Sequence, residues 1–247
     1  MIKRLIDIFA SLFGIIFLTP LILPVMFLIW KEDKHSPFYI APRVGKDGKL
    51  FKMIKLRSMI YNADKTGVDS TSSSDIRITA IGRFIRKFKL DELTQLINVF
   101  LGEMSLVGPR PNVKNETDLY TDLEKNILRV KPGITDISSI VFSDESYILR
   151  NEINPDLAYN QLIRPWKSKL CLIYIEKRNN ILDLLLIVLT FLNIFSRSLT
   201  LRIIKNILKF FNVPKDLIIV ASRKYPLEPS PPPGAKEIVL NRNAKKK

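Results

Sequence analysis

Residues 86–111, RKFKLDELTQLINVFLGEMSLVGPRP, carry the pattern from which the fold can be read. Leu93, Leu96, Ile97, Phe100 and Leu101 recur at helical spacing, which predicts a helix from Asp91 to near Gly102. Just upstream, Ile78–Lys89 sets apolar Ile81, Phe84, Ile85 and Phe88 against Arg83, Arg86, Lys87 and Lys89, a second short amphipathic helix. Downstream, Gly108-Pro109-Arg110-Pro111 is a stiff turn that presents one guanidinium at little ordering cost. The adjacent carboxylates Asp91 and Glu92 fall at the junction of the two helices. On spacing alone Asp91 reads as an N-cap and Glu92 as a complement to the helix dipole. The free N–H groups of a helix start also attract phosphate, so a functional reading stays open beside the structural one.

Toward the N-terminus, LIDIFASLFGIIFLTPLILPVMFLIW (residues 5–30) holds Asp7 as its single charge. The run is long enough to cross a bilayer, and Trp30-Lys31-Glu32 offers no signal-cleavage site. Pro20 and Pro24 each remove a backbone donor, and the Thr19 hydroxyl can bond a carbonyl so released. Lys3 and Arg4 precede the run, and Lys31, Lys34, Arg43 and Lys46 follow it, which assigns both ends to the cytoplasm. A re-entrant helix turning at Thr19-Pro20 fits these facts; an ordinary kinked span is the competing expectation.

Beyond the membrane run, Tyr39-Ile40 and Leu50–Ile54 flank Gly45-Lys46-Asp47-Gly48, a hairpin signal. Residues 65–75 form a polar, serine-rich loop. Residues 155–195 read as helical, ending in an apolar stretch too short to span comfortably. In RSLTLRIIKNILKFF (197–211), Arg202, Lys205 and Lys209 share one face, and Ile203, Ile204, Ile207, Leu208 and Phe211 share another. That composition suits a helix lying flat among lipid headgroups, or a core helix with a solvated basic face. The proline-rich 225–234 and the basic end at Lys245–Lys247 suggest a disordered or peripheral tail.

The expected architecture is therefore α/β-mixed and mostly α-helical: a re-entrant membrane helix (1–30), a main domain (31–195) with a small β-hairpin, an interfacial amphipathic segment (196–224) and a tail (225–247). The formal charge is +15, nearly all of it after residue 30, so anionic partners are favoured. Cys171 stands alone, which excludes a disulfide framework. A single histidine, His35, excludes zinc centres and histidine-based triads. Lys55 and Arg57 alternate onto one side of a strand, a solvated face or a phosphate contact. Arg110 has the planar fork that suits two phosphate oxygens.

Taken together, KLRSM (55–59), GRFIR (82–86), KLDELTQLINVFLGEMSLVGPRP (89–111), KPGIT (131–135) and YIEKRNNILDLLLIVLT (174–190) resemble, in order, the bacterial sugar transferases of the small monotopic polyprenol-phosphate type. The resemblance runs from Lys3 to about residue 195, so 31–195 would be a phosphoglycosyl transferase domain on the cytoplasmic face of the inner membrane. It implies transfer of a sugar-1-phosphate from a UDP-sugar to undecaprenyl phosphate with release of UMP, the first membrane step of a surface glycan or glycoconjugate. Asp91 would be the nucleophile, Glu92 would bind Mg²⁺, and Lys55, Arg57, Arg86 and Arg110 would contact diphosphate or polyprenol phosphate. Thr19-Pro20 would be the membrane-helix break. UDP-sugar, polyprenol phosphate and membrane lipid are the implied partners, with a homo-oligomer or other glycan-pathway enzymes compatible.

Three departures stand out. Thr19 replaces the family's serine and Thr94 replaces a proline, both local changes. The family's continuation after KPGIT is replaced by DISSIVFSDES, where Asp136, Ser138, Ser139 and Asp144 form either a different sugar pocket or a polar loop. The rival from another class is a basic, membrane-tethered binder of nucleic acid or acidic lipid; no RNA-binding or zinc-finger signature supports it.

Overall fold

The computed structural model describes residues 2–63 and 74–241; most of the predicted serine-rich loop and the final basic residues lie outside the described set. The first element, α1 (Ile2–Asp33), is one helix through both prolines, so the expected break at Thr19-Pro20 is not a gap in the helix. Pro20 and Pro24 sit at exposed positions, and the Thr19 hydroxyl donates to the Ile15 carbonyl at 2.6 Å. The helix is inverted in character. Its buried positions, Asp7, Ser11, Val25 and Ile29, form one stripe toward the domain, while Phe9, Phe13, Ile16 and Phe17 are about 70% exposed on the other side. Its length and apolarity are sufficient to cross a membrane.

The predicted hairpin is present as β1 (Phe38–Val44) and β2 (Leu50–Leu56), antiparallel, with Ile40 opposite Ile54. Its turn uses left-handed backbone at Asp47 and Gly48. After it comes α2 (Ala80–Lys87), capped by Thr79, whose side chain accepts from the Gly82 amide. Any side chain at Gly82 would collide with the Ser58 carbonyl, so the glycine is what lets α2 sit against that strand end. A 3₁₀ turn, Leu90–Gln95, leads into α3 (Leu96–Leu101).

Strand β3 (Ser105–Val107) is followed by the Gly-Pro-Arg-Pro turn, α4 (Lys114–Thr117) and β4 (Gly133–Thr135), which pairs in parallel with β3. Next come α5 (Ile137–Val141), α6 (Glu145–Ile148), α7 (Pro155–Ala158) and, after one π turn, α8 (Arg164–Lys177). Asn179 caps α9 (Asn180–Phe195), and α10 (Arg197–Phe210) and α11 (Lys215–Ala221) complete the described elements.

The main core is built by Ile137, Ile140 and Val141 of α5, Leu170 and Tyr174 of α8, Leu182, Leu186 and Leu189 of α9, and Leu201, Ile204 and Leu208 of α10. Burying each such aliphatic side chain is worth about 1.5–3 kcal/mol. The apolar face of α10, read from the sequence as either interfacial or core-facing, packs into this core through Leu201, Ile204 and Leu208. The exposed apolar stripe lies instead on α9, at Ile181, Leu184, Val188, Phe191 and Phe195. The tail is peripheral but engaged: the Ser230 amide donates to the Gln161 carbonyl at 3.1 Å, and Gln161 Nε2 donates to the Val239 carbonyl at 2.7 Å.

Candidate functional site

The carboxylate pair sits in the 3₁₀ turn rather than at a helix cap. Lys89, in left-handed backbone, occupies the capping position, and Asp91 is the second residue inside the turn. Its carboxylate is therefore free of the structural duty that its spacing suggested. Two side chains fix this turn against β2. The Thr94 hydroxyl lies 3.2 Å from the Ile54 carbonyl, and Asn98 bonds both the Ile54 amide at 3.0 Å and the Lys52 carbonyl at 2.7 Å. Asn98, fully buried, thus acts as a fragment of neighbouring strand, and it holds Lys55 of β2 over the turn.

Arg110 arrives from the opposite side. Its turn is pinned by the β3–β4 pairing, with the Gly108 amide donating to Thr135 and the Gly133 amide to Pro109, both at 2.9 Å. A Cβ at Gly133 would lie 2.1 Å from the Gly108 amide nitrogen, so only glycine permits this approach. Beyond the turn, the Asn112 carbonyl accepts from the Val44 amide at 2.9 Å. The KPGIT segment is therefore the support of Arg110.

These supports converge. Lys55 Nζ lies 3.5 Å from Asp91 Oδ2 and 3.9 Å from Glu92 Oε1, and an Arg110 terminal nitrogen lies 2.8 Å from the same Glu92 oxygen. Asp91, Glu92 and Lys55 keep about 15% of their side-chain surface, a recessed but open cluster. Burial opposes ionisation of Glu92, but Arg110, then Lys55 and Lys89, outweigh it and hold the carboxyl down to about 2. The Glu92 charge raises Arg110 in turn. Burial, with Arg110 nearby, lowers the Lys55 ammonium against the pull of Asp91 and Glu92.

The four predicted cations do not all converge. Lys55 and Arg110 belong to the cluster. Arg86 stands behind it, its Nε donating to Ser58 Oγ at 2.9 Å, with burial lowering its basicity and Asp91 opposing that. Arg57 lies outside the cluster, at the end of α1. Its two terminal nitrogens hold both oxygens of Asp33 at 2.6 Å, and Nε donates to the Ser36 carbonyl at 2.8 Å. The sequence contained Asp33 but no local signal for the pairing.

The divergent segment after KPGIT is neither a polar loop nor an open sugar pocket at its start. Asp136 caps α5, accepting from the Ser139 amide at 2.7 Å and Ser138 Oγ at 2.9 Å, and it is fully buried. Asp144 instead accepts from Arg197 and Arg223. Ser138 and Cys171 line a small cavity that reaches Arg110. Burial, together with Asp136, pushes the Cys171 thiol well up, so it is a packing group and not a nucleophile.

No group of three or more metal-type ligands exists among the described residues. Two adjacent carboxylates nevertheless suit Mg²⁺, which commonly takes one or two protein carboxylates and completes its shell with water and substrate phosphate.

The family model described as bacterial sugar transferase matches residues 1–197. The chain is 38% identical over 164 residues to the exopolysaccharide production protein ExoY of Sinorhizobium fredii, covering 60% of this chain and 73% of that one. It is 40% identical over 149 residues to the undecaprenyl-phosphate galactose phosphotransferase of Salmonella typhimurium, covering 54% of this chain and 31% of the relative. It is 35% identical over 171 residues to the UDP-glucose:undecaprenyl-phosphate glucose-1-phosphate transferase of Klebsiella pneumoniae, covering 66% of this chain and 36% of the relative. Those last two are longer proteins of which the chain spans about a third. With four-fifths of its length inside the family model, a membrane-type apolar helix and a carboxylate–cation cluster built from the shared motifs, this chain is an enzyme of the bacterial sugar transferase family.

Proposed function

We propose that the protein transfers a sugar-1-phosphate from a UDP-sugar to undecaprenyl phosphate at the membrane surface, with Asp91 as nucleophile. The observation that carries this is the state of Asp91. Its carboxylate is recessed beside a lysine and a charged glutamate, yet it serves no cap and, among the described residues, its hydrogen-bond partner is Lys55, at 3.5 Å. The names of the Salmonella and Klebsiella relatives supply the substrate class.

In the first step an Asp91 oxygen attacks the β-phosphorus of the donor. The bond from that phosphorus to the bridging oxygen breaks, and UMP leaves with the electron pair. In the second step a phosphate oxygen of the acceptor attacks the same phosphorus, and Asp91 is released as carboxylate. Lys55 and Arg110 offset charge while an anion approaches an anion. Glu92, with donor phosphate oxygens, would hold Mg²⁺, which supplies further charge compensation when bound. Asp33 and Asn98 hold the strand carrying Lys55 in place, so the cations are positioned before substrate arrives.

The geometry of α1 supports a re-entrant seat on the cytoplasmic face. Arg4, near its start, donates to the Val99 and Phe100 carbonyls at 2.6 and 2.7 Å, and Asp33, at its end, holds Arg57. Bonding of both ends of the helix to one domain supports entry and exit on one side. The positive flanks support the cytoplasm as that side.

The test is UMP release from a panel of UDP-sugars with undecaprenyl phosphate, alongside mass spectrometry after donor alone. A phosphosugar mass on Asp91 is expected. Turnover without that adduct would replace two displacements by a direct one, and turnover by Asp91→Asn would remove the nucleophile.

A further inference from the structure

Asp7 is a buried carboxylate and the single charge in residues 5–30, and the mechanism does not use it. Ionisable groups in such segments are costly and occur where they have a specific partner. Here the partner is β3. Asp7 Oδ1 accepts from the Leu106 amide at 3.0 Å and from Ser105 Oγ at 3.1 Å. One turn earlier, Lys3 Nζ donates to the Val107 carbonyl at 3.0 Å and pairs with Asp183. Tyr174 joins both, its hydroxyl lying 2.7 Å from Asp183 Oδ1 and 3.2 Å from the Val107 carbonyl. Val107 is followed directly by the Gly108-Pro109-Arg110 turn.

The same helix reaches the other two segments of the site. Gly14 faces Leu96, which begins α3 immediately after the Asp91–Glu92 turn; a Cβ at Gly14 would lie 2.9 Å from a Leu96 methyl. Arg4 holds the carbonyls at the far end of α3. Asp33 holds Arg57, two residues from Lys55. Thus the segments bearing Lys55, Asp91–Glu92 and Arg110 are all docked on α1.

We propose that α1 is part of the scaffold of the active site as well as an anchor, and that Asp7 is a positioning residue acting on Arg110 through β3. Seating the helix fixes β3 in register, and β3 delivers the Arg110 guanidinium to Glu92. This rests on the assignment of Arg110 to the transferase site, and its test separates the two.

Asp7→Leu removes the acceptor while making the helix more lipid-compatible; Asp7→Asn keeps an acceptor oxygen. Full-length proteins in the same lipid nanodiscs are compared for UMP release and for amide hydrogen exchange. In Asp7→Leu, kcat should fall about 10- to 100-fold, as for a misplaced catalytic contact, with membrane association retained. Exchange should rise at Leu106 and Gly108, and Asp7→Asn should stay within about threefold of the parent on both readouts. Because Asp7 acts through Arg110, the Asp7→Leu/Arg110→Ala double variant should be no slower than Arg110→Ala alone. Losses that multiply independently, or protected amides over 105–110 in Asp7→Leu, would overturn the proposal. If Asp7→Leu fails to fold, Ser105→Ala, which removes one of the two donors, is read by the same cycle with Arg110→Ala. Absence of UMP release from the parent protein would defeat the transferase reading alone, since the exchange pattern still reports the coupling of Asp7 to β3.

Discussion

Two recessed charge clusters invite comparison, because they are built from the same chemistry to opposite ends. In one, Glu124 is completely enclosed. Its Oε1 accepts from Arg164 Nε at 3.0 Å and Ser168 Oγ at 2.7 Å, and its Oε2 accepts from Arg164 and from the Thr121 amide at 3.0 Å. The remaining guanidinium donors go to Asn160 at 2.9 Å and the Leu119 carbonyl at 2.6 Å. In the other, the Asp91 carboxylate has one hydrogen-bond partner among the described residues, Lys55, at the limit of hydrogen bonding. A carboxylate with both oxygens fully engaged holds a fold together. One left with open lone pairs among cations is available to react.

The sharpest way to break this contrast is to remove each acid in turn. Asp91→Asn should lower transfer by about 10³-fold or more while leaving the thermal midpoint close to the parent value. Full activity, or a collapsed midpoint, would erase the distinction. Glu124→Gln should do the reverse, costing about 3–5 kcal/mol of stability by stranding a buried arginine, with kcat per folded molecule unchanged. Denaturant unfolding in detergent, paired with active-site titration, measures both.

Glu92 stands between the two extremes, and pH probes it. Held at about 2 against an ordinary 4.5, it contributes stability that is present above pH 4.5 and lost as the pH falls through 2. In Arg110→Ala the main opposing cation is gone and burial prevails, so the acidic limb of kcat/KM should move to higher pH. Arg110→Lys should move it less. An unmoved limb in Arg110→Ala would show that Glu92 is held by other charges. The smallest effect is expected at Thr94→Val, which loses the contact with the Ile54 carbonyl for about 1 kcal/mol and a few-fold in kcat.

How much of this was legible in the sequence depended on whether the signal was local. The hairpin was written in Gly45–Gly48, the membrane helix in its unbroken apolar run, and the Asp91-Glu92 and Arg110 motifs in adjacent residues. Distant pairings were not. Nothing near Arg57 announces Asp33, and nothing near Glu124 announces Arg164. Asp7 had a readable signal, as the single charge in residues 5–30, but its meaning lay in a strand nearly a hundred positions away. The different exposure of α9 and α10 has a physical reason too. Both carry an apolar face, and only packing decides which face the core takes; α9 has apolar residues on two sides and therefore still shows a stripe after its core side is covered.

The double attachment of α1 also bears on where such an enzyme can work. In the proposed re-entrant seat, α1 has to match the depth of one leaflet, and the far leaflet is outside its reach. Membranes of unequal thickness then impose no tilt or stretch on it, unlike a span whose length must equal the whole hydrocarbon layer. Host bilayers that differ chiefly in overall width should accept this anchor equally well.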